Sequence, residues 1–317
     1  MKKNKYIKIL IILLVVFSLT GCTKYGKDTN KKAIVNEKTG QRLVTNILCK
    51  PTDKEMIKLY NSYNKDSKKK VDLEKLEDCK SMKISGDYQD LWTNIFVKPL
   101  AWVIIKIGNL FKSYGLALII ATLIIRLIAF PFTKKAALQS ENMKKASPAL
   151  EKLEKKYKNK NDKESMMKKS QEMMIIYKEN NINPMSTCLF TFFQIPLFFA
   201  FYEAISRIPI IFEEKFLGFE LGTSPINAVT MGDYKYLIFI VLIGAATYFS
   251  FKLNSGAAMN QDQQKQMKMM TNVMVIVMTI TAFSISTGIA FYWVTTNIFT
   301  IIQNLLVKRG KNSNGNK

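Results

Sequence analysis

The 317-residue chain contains no histidine. Imidazole is the one side chain that ordinarily exchanges a proton near neutral pH, so histidine acid–base catalysis and histidine-ligated metal centres are excluded. Cysteine is scarce: Cys22, Cys49, Cys79 and Cys188 form no CxxC pair, which argues against a zinc ribbon or a dithiol redox centre. The phosphate-cradling pattern GxxxxGK followed by Ser or Thr is missing, and no internal repeat of the inverted-repeat transporter type is evident. The expectation is a protein with no catalytic residues, no metal and no cofactor. Acidic residues are half as numerous as basic ones, 24 Asp+Glu against 47 Lys+Arg, for a formal net charge of +23. Such a surplus points to nucleic acid, to the anionic inner leaflet of a membrane, or to ribosomal RNA beside one.

What is present is strongly segregated. The mean hydropathy of +0.01 is that of a soluble protein, yet residues 269–307 carry no charge over 39 positions and residues 180–202 none over 23. Runs of this length are candidate membrane spans, because about 20 helical residues cross the hydrocarbon core. The N-terminus reads as a targeting segment: Lys2, Lys3, Lys5 and Lys8 precede an apolar run, Ile9 to Leu19, too short to span comfortably. It closes on Leu19-Thr20-Gly21-Cys22, which resembles a bacterial lipobox. That resemblance makes residues 1–21 a cleaved signal peptide and Cys22 the lipid-attachment site of the mature protein.

Residues 22–88 read as a small, partly flexible extracellular segment; between 23 and 88 it holds 16 basic and 10 acidic residues. Thr52–Tyr60 and Val71–Cys79 look like short helices flanking a lysine-rich linker. Cys49 and Cys79 are either a disulfide closing a loop of about 30 residues, stabilising by roughly 3–4 kcal/mol, or two unrelated free thiols. Residues 89–112 place Leu91, Trp92, Ile95, Phe96, Leu100, Val103, Ile104 and Ile107 at helical spacing with lysines between them, which predicts an interfacial amphipathic helix kinked at Pro99.

Five spans follow: 113–133, 185–206, 234–252, 269–284 and 288–307. Residues 134–184 carry 13 basic and 7 acidic residues, whereas 207–233 carry two and four. Excess lysine and arginine marks the cytoplasmic side. Segments 134–184 and 253–268 and the basic tail 308–317 are therefore expected in the cytoplasm, with the loop 207–233 and the mature N-terminus outside. Within 134–184, Ala136–Tyr157 and Glu164–Tyr177 are rich in helix formers and joined by a polar turn, which predicts a helical hairpin. Its methionines (Met166, Met167, Met173, Met174) are expected to pack between the two helices, with adaptable contacts to a partner as the alternative.

Arg126 lies inside the first span, where a central arginine costs on the order of 3 kcal/mol on insertion scales. Glu203 is the only acid inside any span. At about 1.5 Å per residue it lies about 27 Å from the cytoplasmic face, whereas Arg126 lies about 9 Å from it, so the two do not meet. Arg126 either snorkels to the inner interface or faces a wet cavity open to the cytoplasm. Polar residues in the other spans favour the cavity: Thr191 and Gln194, Thr247 and Ser250, and in the last span Asn297, Thr300 and Asn304 on one face with Trp293 a turn earlier.

These residues carry a resemblance. IIATLIIRLIAFPFTKKAALQSENMKKASPALEKLEKKY (119–157), NPMSTCLFTFFQIPLFFAFYEA (183–204) and GIAFYWVTTNIFTIIQNLLV (288–307) resemble, in order, the corresponding parts of YidC-type membrane protein insertases, in the lipoprotein form of single-membrane bacteria. The resemblance covers about residues 89–310. It implies an all-α membrane protein whose five transmembrane helices surround a hydrophilic groove open to the cytoplasm, closed outward. The implied groove residues are Arg126, Gln194, Ser250, Trp293 and Asn297; Ser250 stands where the family often has glutamine. The fourth span lacks the proline common there. The implied function is insertion and folding of newly made membrane proteins, alone or with the Sec translocon. The implied partners are nascent membrane proteins and membrane lipids, with the translocon and the ribosome as further candidates and no nucleic-acid function. A small-solute transporter or a non-inserting translocon scaffold are the competing functions.

Overall fold

The computed structural model describes residues 23–85, 90–160, 162–183, 196–254 and 261–314. Cys22, Gln194 and the signal peptide lie outside the described residues. The chain forms two compact units. The first comprises Met1–Ile124, Phe192–Val241 and Ile280–Thr295; the second comprises Ile125–Thr191, Leu242–Thr279 and Thr296–Lys317. Four described helices are long and apolar enough to cross a membrane, namely Thr93–Phe111, Tyr114–Tyr157, Tyr234–Leu253 and Thr287–Arg309, and Thr271–Ala282 is a shorter apolar helix.

The first unit begins with a folded subdomain where the sequence suggested a partly flexible segment. Residues 25–44 form short antiparallel bridges, Tyr25 with Val44 and Val35 with Arg42. Helix α1 (Lys54–Asp66) packs on them, and Leu43, Val44, Ile47, Met56, Tyr60, Val71 and Leu73 form the core. Asp53 caps α1 by accepting from the Met56 amide at 2.8 Å, which satisfies one of the donors a helix start leaves free. The buried Tyr60 hydroxyl donates to the Val44 carbonyl at 2.6 Å, and burial pushes its pKa up. Residues 71–78 are not helical, and only a short 3-10 turn, Cys79–Ser81, follows. Asn64 clasps both backbone groups of Val71 at 2.7 Å, and Asp72 accepts from the Glu74 amide at 3.2 Å. Side-chain bonds of this kind outcompete a helix that has no cap of its own. A disulfide joins Cys49 to Cys79.

Next comes a continuous helical stretch interrupted in character at Thr93–Val97, which winds as one π turn before α2 (Lys98–Phe111). Pro99 cannot donate and crowds the preceding turn, so the expected kink takes the form of a bulge, with the Lys98 amide bonding to the Thr93 carbonyl. Lys112 closes α2 in the left-handed region at φ 52°.

Helix α3 (Tyr114–Tyr157) is a single element of 44 residues. The onset of charge at Lys134 suggested a boundary between span and hairpin, but helix formers continue across it. Pro131 and Pro148 both lie inside the helix. Within the second unit, α3 is followed by α4 (Lys163–Glu179). Ala146 and Leu150 pack against Tyr177 and Ile182, with Met143, Met173 and Ile176 around them. Glu172 accepts from Lys156 Nζ at 2.6 Å and from the Tyr157 hydroxyl at 2.9 Å; the Lys156 bond holds its pKa below the usual carboxylate value.

Helix α5 is described over residues 196–206. It leads through the short helix α6 (Pro209–Phe212) into a two-stranded hairpin, β1 (Lys215–Phe216) and β2 (Phe219–Glu220), and helix α7 (Pro225–Thr230). Leu217 and Gly218 both have positive φ, 52° and 83°, as a two-residue turn matching strand twist demands. Helices α8 (Leu237–Asn254), α9 (Gln261–Ala282) and α10 (Thr287–Asn314) complete the chain. In the first unit the turn between α9 and α10 is pinned by the Thr287 and Gly288 amides, which donate to Thr223 and Leu221, both at 2.9 Å.

The subdomain is fastened within its own unit. Glu213 accepts from the Thr52 and Asp53 amides at 2.9 and 3.0 Å and from the Thr52 hydroxyl. Asn227 donates to the Gly40 carbonyl at 3.1 Å, and a Cβ on Gly40 would collide with the Asn227 side chain while φ is +66°. Replacing Cys49 and Cys79 together by serine is expected to accelerate amide exchange in α1 roughly 100-fold, the equivalent of about 3 kcal/mol of lost loop constraint. Exchange measured on the intact protein in detergent checks this, and unchanged α1 protection contradicts it.

Candidate functional site

The second unit has its polar residues inside. Arg126, Thr133 and Ser140 recur at seven-residue spacing and so share one face of α3, and all three are buried; Arg126 is only 5% exposed. On α8, Thr247 and Ser250 are buried, one turn apart; on α10, Thr296, Asn297, Gln303 and Asn304 are buried at helical spacing. The Thr133 hydroxyl donates to Gln303 Oε1 at 2.8 Å, which ties α3 to α10. The Thr296 hydroxyl is buried and makes no hydrogen bond among the described residues. Gly244 lets α8 approach α9, where its Cβ would stand 3.0 Å from the Thr279 hydroxyl.

The same helices expose their large apolar residues. Next to Arg126, Ile128 is 66% exposed, and Phe132 is 68% exposed. Phe249 on α8, Val273 and Ile276 on α9, and Ile302 and Leu306 on α10 are likewise exposed. In water this distribution would be unstable; hydrocarbon reverses its sign, since lipid covers apolar surface and every polar group must find a partner inside.

Of the residues singled out in the sequence, Arg126, Ser250 and Asn297 are thus buried in one unit. Trp293 belongs to the other, where it meets the Phe198 ring edge-on at 5.0 Å. Phe201 stacks on Tyr292 at 4.7 Å in the same unit.

The first unit holds a polar cluster that sequence reasoning missed. Glu203 and Arg207 are fully buried and paired at 3.5 Å. Trp92 Nε1 donates to Glu203 at 3.1 Å, and Arg207 donates to the Thr93 hydroxyl at 2.8 Å and the Asn46 carbonyl at 2.6 Å. The Leu48 amide returns a bond to the Arg207 carbonyl at 2.9 Å. One guanidinium therefore joins the subdomain, the π turn and α5. The i, i+4 spacing of Glu203 and Arg207 is the sequence signal for this pair.

Comparison with known proteins identifies the family. A family model described as the 60Kd inner membrane protein matches residues 106–314. A membrane protein insertase YidC of Oceanobacillus iheyensis is 37% identical over 231 residues, 71% of this chain and 87% of that protein. The chain belongs to the YidC-type membrane protein insertases. Membership makes it a multi-pass membrane protein. Other relatives are a YidC 2 of Bacillus anthracis, 37% identical over 69% of this chain and 81% of that protein, and MisCA of Bacillus subtilis, 33% identical over 74% and 86%. The family model begins at residue 106, so the subdomain and Cys49–Cys79 precede the matched region.

Removing one partner of a buried ion pair strands the other. Arg207→Ala or Glu203→Ala is expected to cost about 3–5 kcal/mol, and the double change Glu203→Leu with Arg207→Met less than either single one. Thermal unfolding of the full chain in detergent reads the difference. A double variant as unstable as the sum of the two single variants contradicts the pairing.

Proposed function

We propose that the protein inserts newly made membrane proteins into the bilayer and assists their folding, and that Arg126 is the cation its substrates meet. One observation carries the reading: in the second unit the guanidinium and the amides and hydroxyls of α3, α8 and α10 are buried, while the apolar residues of those helices face outward. A protein that only anchors itself has no use for a polar interior. One that lowers the barrier to a polar tail crossing hydrocarbon does.

In this mechanism the polar interior is a hydrated groove open to the cytoplasm. The buried Thr296 hydroxyl, which has no hydrogen-bond partner among the described residues, supports a wet interior, because a hydroxyl left dry and unbonded costs about 1–3 kcal/mol. Burial of Arg126 favours the groove over a snorkelling side chain. A short, acidic extracellular tail of a nascent segment enters and pairs with Arg126, so the tail crosses part of the bilayer in a polar medium. Its apolar segment then moves into lipid at the helix margins, driven by burial worth about 25 cal/mol per Å² and by the membrane potential. Ser250 and Asn297 offer hydrogen bonds along the path; Gln194 and Trp293 complete the set of groove residues carried by the family resemblance.

The orientation belonging to this mechanism puts the lipid-modified Cys22 and the N-terminal subdomain outside, and the α3–α4 hairpin and basic tail in the cytoplasm. The positive-inside rule supports it. The Sec translocon and the ribosome are the natural collaborators, the tail contributing Lys308, Arg309, Lys311 and Lys317.

Reconstitution of the full chain alone in protein-free liposomes tests the function. A single-span substrate with a short acidic tail is expected to insert without nucleotide. Solute flux without insertion indicates a transporter, and neither activity in verified proteoliposomes indicates a scaffold. Arg126→Ala is expected to reduce insertion of acidic-tailed substrates about tenfold, the equivalent of one lost charge contact of about 1.4 kcal/mol, with Arg126→Lys retaining most activity. Equal loss with lysine and alanine indicates that guanidinium geometry, not charge, is used.

A further inference from the structure

The charge of the N-terminal subdomain runs against its side of the membrane. Lysine and arginine gather in the cytoplasm, yet residues 23–88 hold 16 basic and 10 acidic residues and stand outside in the orientation proposed above. Some of these lysines are neutralised locally, Lys38 by Glu55 and Lys75 by Asp72 at 3.4 Å. Lys80 and Lys83, in and just after the turn Cys79–Ser81, are exposed and form no ion pair among the described residues. The acids beside them are Asp78 and Glu77, and Glu77 accepts from the Lys83 amide at 3.0 Å.

The π turn and α2 supply the rest of the surface. By length and apolarity Thr93–Phe111 could cross a membrane, but both of its ends are held by the subdomain. At the start, Arg207 bridges the Thr93 hydroxyl and the Asn46 carbonyl; at the end, Asn109 Nδ2 donates to the Lys80 carbonyl at 2.8 Å. Thr93 and Asn109 stand about 24 Å apart along the axis at about 1.5 Å per residue. The helix therefore runs alongside a folded polar subdomain, which suits a helix lying in the interface and not one crossing it. Its inner face buries Ala101, Ile104, Ile105 and Gly108.

On the outward face Trp102, Lys106 and Leu110 follow one another at four-residue spacing. Lys106 Nζ lies 5.8 Å from the centroid of the Trp102 ring, and Leu110 and Phe111 are 75% and 50% exposed. Lys106 stands one helical turn before Asn109, so this row runs into the turn that carries Lys80 and Lys83. Apolar and indole side chains beside a group of cations match one molecule in both its parts, a phosphate above an acyl chain. We propose that the turn after Cys79 and the outward face of α2 together form a binding surface for anionic phospholipids of the outer leaflet. Lys80, Lys83 and Lys106 pair with headgroup phosphates, while Trp102, Leu110 and Phe111 enter the acyl region. A free phosphate would use the lysines and leave the apolar residues without a role. The surface explains why an exported segment keeps a basic surplus, and it lies in the first unit, apart from Arg126.

Trp102 is the reporter, because bromine on a lipid's acyl chains quenches a neighbouring indole. The full chain is reconstituted in phosphatidylcholine liposomes into which brominated phosphatidylglycerol or brominated phosphatidylcholine is titrated, and the Trp102 contribution is the difference from Trp102→Phe. Half-maximal quenching is expected at an about fivefold lower fraction of the glycerol lipid, the value of one lysine at an anionic surface, or lower still. Lys80→Gln with Lys83→Gln is expected to remove most of that preference, as is Lys106→Gln alone. The bonds that place the turn use the Lys80 carbonyl and the Lys83 amide, so the fold survives these changes. Lys68→Gln with Lys69→Gln removes the same charge from the linker and is expected to leave the preference intact. Equal quenching by the two lipids, an unchanged preference in both the Lys80/Lys83 and the Lys106 variants, or the same loss from the linker variant overturns the site. Loss of the preference on adding inorganic phosphate also overturns it, in favour of a free anion. The proposal rests on the orientation given above, which impermeant maleimide labelling of Lys69→Cys on intact cells tests separately: no labelling there sinks the outer-leaflet assignment, whatever the quenching shows.

Discussion

A charged guanidinium cannot face hydrocarbon, and the second unit is organised around that prohibition. Arg126 stands among apolar neighbours in sequence, and the cost of its position is offset only if the helices turn their polar faces toward one another. The seven-residue spacing of Arg126, Thr133 and Ser140 makes such a face on α3, and the Thr133–Gln303 bond joins it to a second one on α10. Ile128 and Phe132 are then obliged to point outward. Enclosure of the polar groups and exposure of the apolar ones follow from one choice of helix rotation.

The first unit uses buried charge differently. There Arg207 is saturated by Glu203, Thr93 and Asn46, so it holds three chain segments in register and has little left to offer a substrate. The two buried arginines illustrate two uses of the same cation. One is fixed by a carboxylate four residues away; the other is buried on a helix face that it shares with Thr133 and Ser140. The subdomain fastened by Arg207 lies ahead of the region matched by the family model and is held to the π turn and α5 by specific polar bonds.

Much of this was legible in the sequence, and the reasons are physical. Hydropathy reports burial in lipid directly, so the segments around 114–132, 234–253 and 288–307 stood out, and a lone intramembrane arginine declared itself by cost. The misses came where a local rule lost to a neighbour. Val71–Cys79 has the composition of a helix but is held irregular by Asn64 and Asp72. Charge onset at Lys134 marks a change of composition, not the end of α3. Of the hairpin methionines only Met173 packs against the hairpin core, while Met166, Met167 and Met174 are exposed; spacing did not separate them, because Met166 and Met173 stand seven residues apart on one face.

The central claim is that the polar interior of the second unit is wet from the cytoplasmic side. Single cysteines at Asn297 and Thr296, in a chain whose Cys188 is replaced by serine, test it most directly in inverted membrane vesicles. A membrane-impermeant maleimide is expected to label both, and to leave cysteines at the outward-facing Ile302 and Phe249, which the proposed mechanism assigns to lipid, unreacted. Labelling at 297 and 296 as slow as at 302 and 249 would contradict a hydrated groove and leave Arg126 a structural residue.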